Sequence, residues 1–161
     1  MMSLSDLGSA PAARLFERGH TITACETSTG GLIAAALLAV PGASTYFKGG
    51  TVPYSLPARR EWLQMDKSSV AGLRPMTEAM AMRFAEITRQ QLNSTWGIAE
   101  LGIAGPSDSP YGAAAGTSVI AIAGPTPKSL TVSTESSDRE RNMWRFTETA
   151  MHLLVEALDS E

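Results

Sequence analysis

Apolar residues change spacing along this chain, and each change marks an element. Residues 3–18 set Leu4, Leu7, Ala12, Leu15 and Phe16 on one side of a helical repeat, with Pro11 as a point of interruption. Residues 21–25 are rich in β-branched side chains and read as a short strand. Residues 29–40 form a helix of Ala and Leu that is polar nowhere after its first turn, the pattern of a buried helix, and Pro41-Gly42 stops it. Residues 44–54 read as a strand broken at Gly49-Gly50. Adjacent glycines inside a strand point to a bulge or a close backbone approach, and Pro53 points to an edge. A helical turn over 58–65 follows, with Pro57 as its first residue, and then a loop over 66–75.

The clearest amphipathic helix starts at Pro75-Met76-Thr77, where Met76, Met80, Phe84 and Ile87 recur at helical spacing. This methionine stripe fits core packing better than a binding groove. Residues 96–104 are a strand, and 117–123 are a continuous apolar strand of the kind covered on both faces. Residues 130–134 are more polar and read as an edge strand. Ser137-Asp138 cap a terminal helix with Met143, Phe146, Ala150, Leu153, Leu154 and Ala157 on one face. Helices and strands alternate early, and neighbouring strands come late. That order predicts an α/β fold: a three-layer α/β/α sandwich on a mixed β-sheet. No linker or internal repeat divides the chain, so residues 1–161 are read as a single domain.

Composition narrows the function classes. Hydrophobic content of 43% and charged content of 18% are those of a globular chain. A net charge of −3 gives no footprint for nucleic acid. Cys25 is the one cysteine, so no disulfide framework exists, and the two histidines, His20 and His152, lie far apart in sequence, which makes a histidine-built metal site unexpected. No cofactor is expected. Without a basic segment followed by an apolar run at the N-terminus, or an apolar run of roughly 18 residues, the expectation is a soluble cytoplasmic protein away from membranes. Cys25 reads as a buried small apolar residue. Trp62, Trp96 and Trp144 read as core or subunit contacts, and His152 as packing or surface.

Familiar catalytic signatures are absent: no phosphate loop, no dinucleotide fingerprint, no zinc-protease helix and no nucleophile elbow. What remains is a set of hydroxyls and glycines beside predicted strand ends, foremost Thr27, Ser28, Thr29, Gly30 and Gly31. A strand leads into that turn and a helix leads out of it. Two readings stand: an ordinary capped turn with Ser28 or Thr29 as N-cap, or the floor of a small-molecule site that attracts an anion. In an open α/β sheet ligands bind beyond the carboxyl ends of strands, so this turn and residues 105–107 could line one crevice.

These residues resemble a family. Glu26 to Gly31, then Pro41-Gly42-Ala43-Ser44 with Tyr46-Phe47, then Gly49 to Ser55, then Gly102 to Pro106, then Gly116-Thr117 match segments of the CinA C-terminal domain, in order and at matching spacing, across roughly residues 10–158. This is the family of PncC-type nicotinamide mononucleotide deamidases. The resemblance implies hydrolysis of nicotinamide mononucleotide to nicotinate mononucleotide and ammonia by a serine–lysine pair. It places the nucleophile at Ser44 and a site tyrosine at Tyr54, and it implies a homo-oligomer. Thr27 to Gly31, Gly105, Thr117 and Arg139 would then bind the nucleotide-like substrate, with Thr29 to Gly31 and Gly105 supplying backbone donors and Arg139 as phosphate ligand or as an exposed helix-start arginine.

The chain departs from that pattern where the base belongs. Arg59 stands at the family's lysine, and a guanidinium cannot accept a proton in a protein, although it can hold a phosphate or carboxylate. Thr27 replaces a serine, Ser28 a cysteine, and Ala113 another lysine. Lys48, four residues after Ser44, would lie roughly 13 Å from it in an extended strand. Two functions therefore stand: an amidohydrolase with Ser44 as nucleophile, or a lapsed member that binds a nucleotide-like ligand or a partner.

Overall fold

The computed structural model describes residues 2–161 of the 161-residue chain. Its elements are α1 (Leu4–Arg18), β1 (Ile22–Glu26), α2 (Leu32–Leu38), β2 (Phe47–Thr51), α3 (Leu56–Leu63), α4 (Glu78–Gln91), β3 (Trp96–Ile103), β4 (Thr117–Ala123), β5 (Lys128–Ser133) and α5 (Arg139–Asp159). The sheet runs β2-β1-β3-β4-β5. β1 pairs parallel with β2 and β3, while β4 pairs antiparallel with β3 and β5. The expected α/β/α sandwich on a mixed sheet is what the chain forms.

Chain handedness explains why both faces are covered. A parallel crossover is right-handed, so stepping from β1 to β2 puts α2 on one face. Stepping back across β1 to β3 then puts α3 and α4 on the other. Alternation along β3 and β4 divides the core accordingly. Trp96, Ile98, Ile120 and Ile122 face α1, α2 and α5. Ala99, Leu101, Val119 and Ala121 face α4 together with Cys25, Leu63 and Phe84. The chemistry therefore gathers at the carboxyl ends of β1 and β3, where the strand order reverses.

Several boundaries differ from the sequence reading for local reasons. The helix expected from residue 29 begins at Leu32, because Gly30 and Gly31 adopt φ of +63° and +101°. The strand expected over 44–54 is only Phe47–Thr51, and Ser44 sits in a short 3-10 turn, Ala43–Thr45. The irregularity in that strand falls at Lys48, where the register against β1 slips. The glycines mark close approach: a Cβ on Gly50 would lie 3.1 Å from the Ala34 Cβ. Pro11 does not interrupt α1, which runs through it. Trp96 is fully buried and donates to His20 Nδ1 at 3.1 Å, Trp144 packs partly buried on the core, and Trp62 is 58% exposed.

α1 lies against α2 so closely that a Cβ on Gly8 would overlap the Ala36 carbonyl. On an exposed helix, Gly→Ala gains up to about 1 kcal/mol in propensity. Here the overlap with fixed backbone costs about 1–3 kcal/mol, so Gly8→Ala is expected to lower the urea midpoint. A raised midpoint would mean the two helices are free to separate.

Candidate functional site

Two buried carboxylates hold the centre of the molecule. Glu26 and Glu100 are directly paired across β1 and β3 and are 1% and 0% exposed. Glu26 Oε1 accepts from the Ala34 amide at 2.8 Å. Its Oε2 accepts from the amides of Gly31 at 2.9 Å and Ile33 at 3.1 Å, and from the Thr29 hydroxyl at 2.7 Å. Glu100 Oε2 accepts from the amides of Thr27 at 3.2 Å and Thr29 at 3.0 Å. Its Oε1 accepts from the hydroxyls of Ser118, at 3.0 Å, and Ser28. Burial pushes the Glu26 carboxyl above its ordinary range, and the Thr29 hydroxyl and the α2 amides offset part of that rise.

The anion-attracting turn is thus occupied by the protein's own carboxylates. Ser28 and Thr29 are buried among these bonds, and the amides of Thr29 and Gly31 are spent on them. The Gly30 amide donates to the Thr27 carbonyl. A ligand cannot use these donors without displacing a buried carboxylate.

The open cavity lies on the other face of the sheet. A pocket of about 440 Å³ is framed by α3, α4, the end of β3 and the loop carrying Tyr111. Its floor is apolar, with Met76, Met80, Phe84, Leu101 and Ile103. The methionine stripe read as core therefore serves two purposes, since Met76 and Met80 pack partly buried on the core and also line the cavity. Arg59, Arg60 and Lys67 make the mouth cationic. Arg59 Nε donates to the Pro53 carbonyl at 3.2 Å, and its guanidinium lies 5.3 Å over the Phe84 ring. Burial lowers the Arg59 pKa, against the opposing influence of Cys25, Tyr111 and Tyr54.

Of the residues expected in the site, Thr27 and Arg59 line this pocket. The Thr27 hydroxyl donates to the Glu100 carbonyl at 3.3 Å. Tyr54, Gly105 and Arg139 meet close by: Arg139 donates to the Gly105 carbonyl and, at 3.3 Å, to the Tyr54 hydroxyl. Thr117 opens β4, paired with Ile103 and Ser133, and does not line the pocket.

Ser44 is not brought to the others. It precedes the amino end of β2, whereas Tyr54 and Arg59 follow the carboxyl end. At about 3.3 Å per residue the strand alone separates its ends by about 13 Å. Lys48 does not turn toward Ser44 either; its Nζ donates to the carbonyls of Leu92 at 2.9 Å and Asn93 at 3.0 Å. Cys25 is fully buried, and burial raises its thiol far above neutrality, leaving no thiolate nucleophile. Among the described residues no three His, Cys, Asp or Glu side chains converge to hold a metal, and no helix is long and apolar enough to cross a membrane.

The sequence reading missed Glu100, Tyr111, Arg60 and Lys67 as parts of this region. Glu100 had a visible mark, a lone acid within the apolar run of β3. The other three sit in loops or on an exposed helix face and carry no pattern.

A mixed five-stranded sheet covered by helices on both faces defines an α/β sandwich domain. The CinA C-terminal domain family matches residues 5–158, and the chain belongs to that family. It is 38% identical over 119 residues to a CinA-like protein of Gloeobacter violaceus, covering 74% of this chain and 28% of that protein. It is 34% identical over 146 residues to a CinA-like protein of an Anaeromyxobacter strain, covering 91% and 36%. The chain spans about a third of the length of such relatives. Among solved structures, a CinA-superfamily protein of Klebsiella pneumoniae superposes with a TM-score of 0.90 at 27% identity, covering 99% of this chain and 100% of that one.

A carboxyl raised by burial contributes stability fully below its ordinary value of 4.5 and loses it as pH rises through the raised value. Glu26→Gln cannot ionise. The wild type is therefore expected to lose stability relative to Glu26→Gln from pH 4.5 upward, read by urea unfolding at stepped pH. A pH-independent difference would show that Glu26 titrates as it does in the unfolded chain.

Proposed function

We propose that this CinA-family domain binds a small, anionic, nucleotide-like molecule in the pocket beside Arg59, and that one chain alone does not perform the amide hydrolysis of the nicotinamide mononucleotide deamidases. The observation that carries this reading is the placement of Arg59. It stands at the family's lysine position, lines the pocket and cannot accept a proton. A serine hydroxyl needs such a base to become a nucleophile, and Ser44 lies beyond the other end of β2. Thr27 lines the same pocket as Arg59, yet its hydroxyl donates to the Glu100 carbonyl at 3.3 Å.

The second reading is the deamidase itself, converting nicotinamide mononucleotide and water to nicotinate mononucleotide and ammonia. The clustering of Tyr54, Gly105 and Arg139 at the crevice favours it, since the family resemblance places a site tyrosine at Tyr54 and assigns Gly105 and Arg139 to substrate. Hydrolysis through Ser44 would then require a second copy of the chain to bring its Ser44 to this pocket.

Both readings are separated by an ammonia-release assay on the purified protein with nicotinamide mononucleotide, run beside calorimetric binding. Binding without ammonia is expected. Arg59→Gln is expected to weaken binding at least about tenfold, the loss of a charge-assisted hydrogen bond. Steady ammonia release that Ser44→Ala abolishes would overturn the non-catalytic reading and establish a site shared between copies.

A further inference from the structure

We propose that this pocket selects the carboxylate form of its ligand over the corresponding amide, and that Arg59 reads the difference. The proposal deepens the ligand-binding reading above and rests on it. Arg59 is held as a fork with its plane fixed. Nε is tied to the Pro53 carbonyl at 3.2 Å, and the guanidinium lies over Phe84 at 5.3 Å. Among the described residues no Asp or Glu forms an ion pair with it. The acid in the pocket lining, Asp66, is engaged by its own loop and not by Arg59: its Oδ1 accepts from the Ser68 and Ser69 hydroxyls and from the Ser69 amide.

A half-buried cation without a counter-ion has lost water and gained nothing charged in return. Its terminal nitrogens present parallel N–H donors, the complement of a planar oxyanion bound at both oxygens. A carboxylate meets every donor with an acceptor and cancels the charge. The matching amide offers one acceptor oxygen and sets its NH2 against the guanidinium N–H groups, donor against donor. The apolar floor beneath, formed by Met80, Phe84 and Leu101, suits the flat body of a ring. Arg60 and Lys67 at the mouth favour anions in general, so they raise affinity for any phosphate the ligand carries without distinguishing acid from amide.

The test is calorimetry with matched pairs: nicotinate and nicotinamide, benzoate and benzamide, nicotinate mononucleotide and nicotinamide mononucleotide. The acid of each pair is expected to bind at least about tenfold more tightly, as for a hydrogen-bonded ion pair against a neutral contact. Arg59→Gln is expected to erase the preference, and Arg59→Lys, which keeps the charge without the fork, to reduce it. Equal or tighter binding of the amides by the wild type overturns the proposal, and so does a preference that survives in Arg59→Gln. If the free acids show the preference and neither mononucleotide binds, selectivity stands and the nucleotide reading fails. If both mononucleotides bind equally, the nucleotide reading stands and selectivity fails. Absence of binding by every compound at millimolar concentration overturns both.

Discussion

The fold turns on two carboxylates placed where no water reaches them. Glu26 and Glu100 sit side by side on adjacent strands, and almost every donor of the turn between β1 and α2 points at one of them. Removing the Glu100 carboxylate would strand the Ser28 hydroxyl and the Thr29 amide, at about 1–3 kcal/mol for each buried donor left unmade, whereas the Thr27 amide and the Ser118 hydroxyl keep the backbone carbonyls of Glu100 and Leu101. The pair therefore specifies where β1 ends, where α2 begins and how the ends of β1 and β3 are locked. Thr29 is the hinge of the arrangement: one hydroxyl lies within reach of both acids, at 2.7 Å and 3.0 Å.

That lock uses up the donors at the end of β1, and the cavity at that end lies on the opposite face of the sheet. On the face bearing α1, α2 and α5 a continuous core fills the space next to the sheet and the polar centre is satisfied from within, while a cavity of about 440 Å³ lies further out, beside Leu7 of α1 and Trp144 of α5. The opposite face is covered by α4 and by the eight-residue α3, and the connection between them brings Met65, Val70 and Met76 to the cavity. The cavity opens beside the end of β3, at Leu101 and Ile103. Asn142, fully buried on α5, ties the remaining loops together by donating to the Ala104 and Ser136 carbonyls and accepting from Thr134. The crevice is thus a rigid rim on one side and a methionine-lined floor on the other.

Most of this architecture was legible in the sequence because it follows from periodicity and punctuation. The apolar run of β4, the capped start of α4 and the terminal helix α5 announce themselves by spacing alone. Where the reading missed, a long-range fact had overridden a local one. The turn after β1 has the chemistry of an anion site, and only the register of β3 reveals that Glu100 fills it. The strand expected from residue 44 contracts to Phe47–Thr51 because Gly42, at φ +90°, opens a 3-10 turn instead. Ser44 and Tyr54 lie beyond opposite ends of the strand in either case, and its contraction does not bring them together. Loop residues such as Tyr111 and Lys67 carry no periodicity, and nothing short of the folded chain assigns them to the pocket.

An arginine at residue 59, where the family resemblance implies a lysine, has a different consequence, because the same surroundings leave the two side chains in different charge states. Partial burial disfavours the charged form of either. A lysine's ordinary pKa of about 10.4 leaves room for burial to bring it near neutrality, where it sheds its proton and becomes a base. A guanidinium starts above about 12, so the same burial lowers its pKa without discharging it. Packed over Phe84 and tied to the Pro53 carbonyl, Arg59 keeps its charge and loses its freedom. Desolvation that would prepare a lysine to remove a proton prepares an arginine to hold an anion. On the proposed reading, the position that the family resemblance assigns to starting amide hydrolysis is in this chain one suited to retaining an acid.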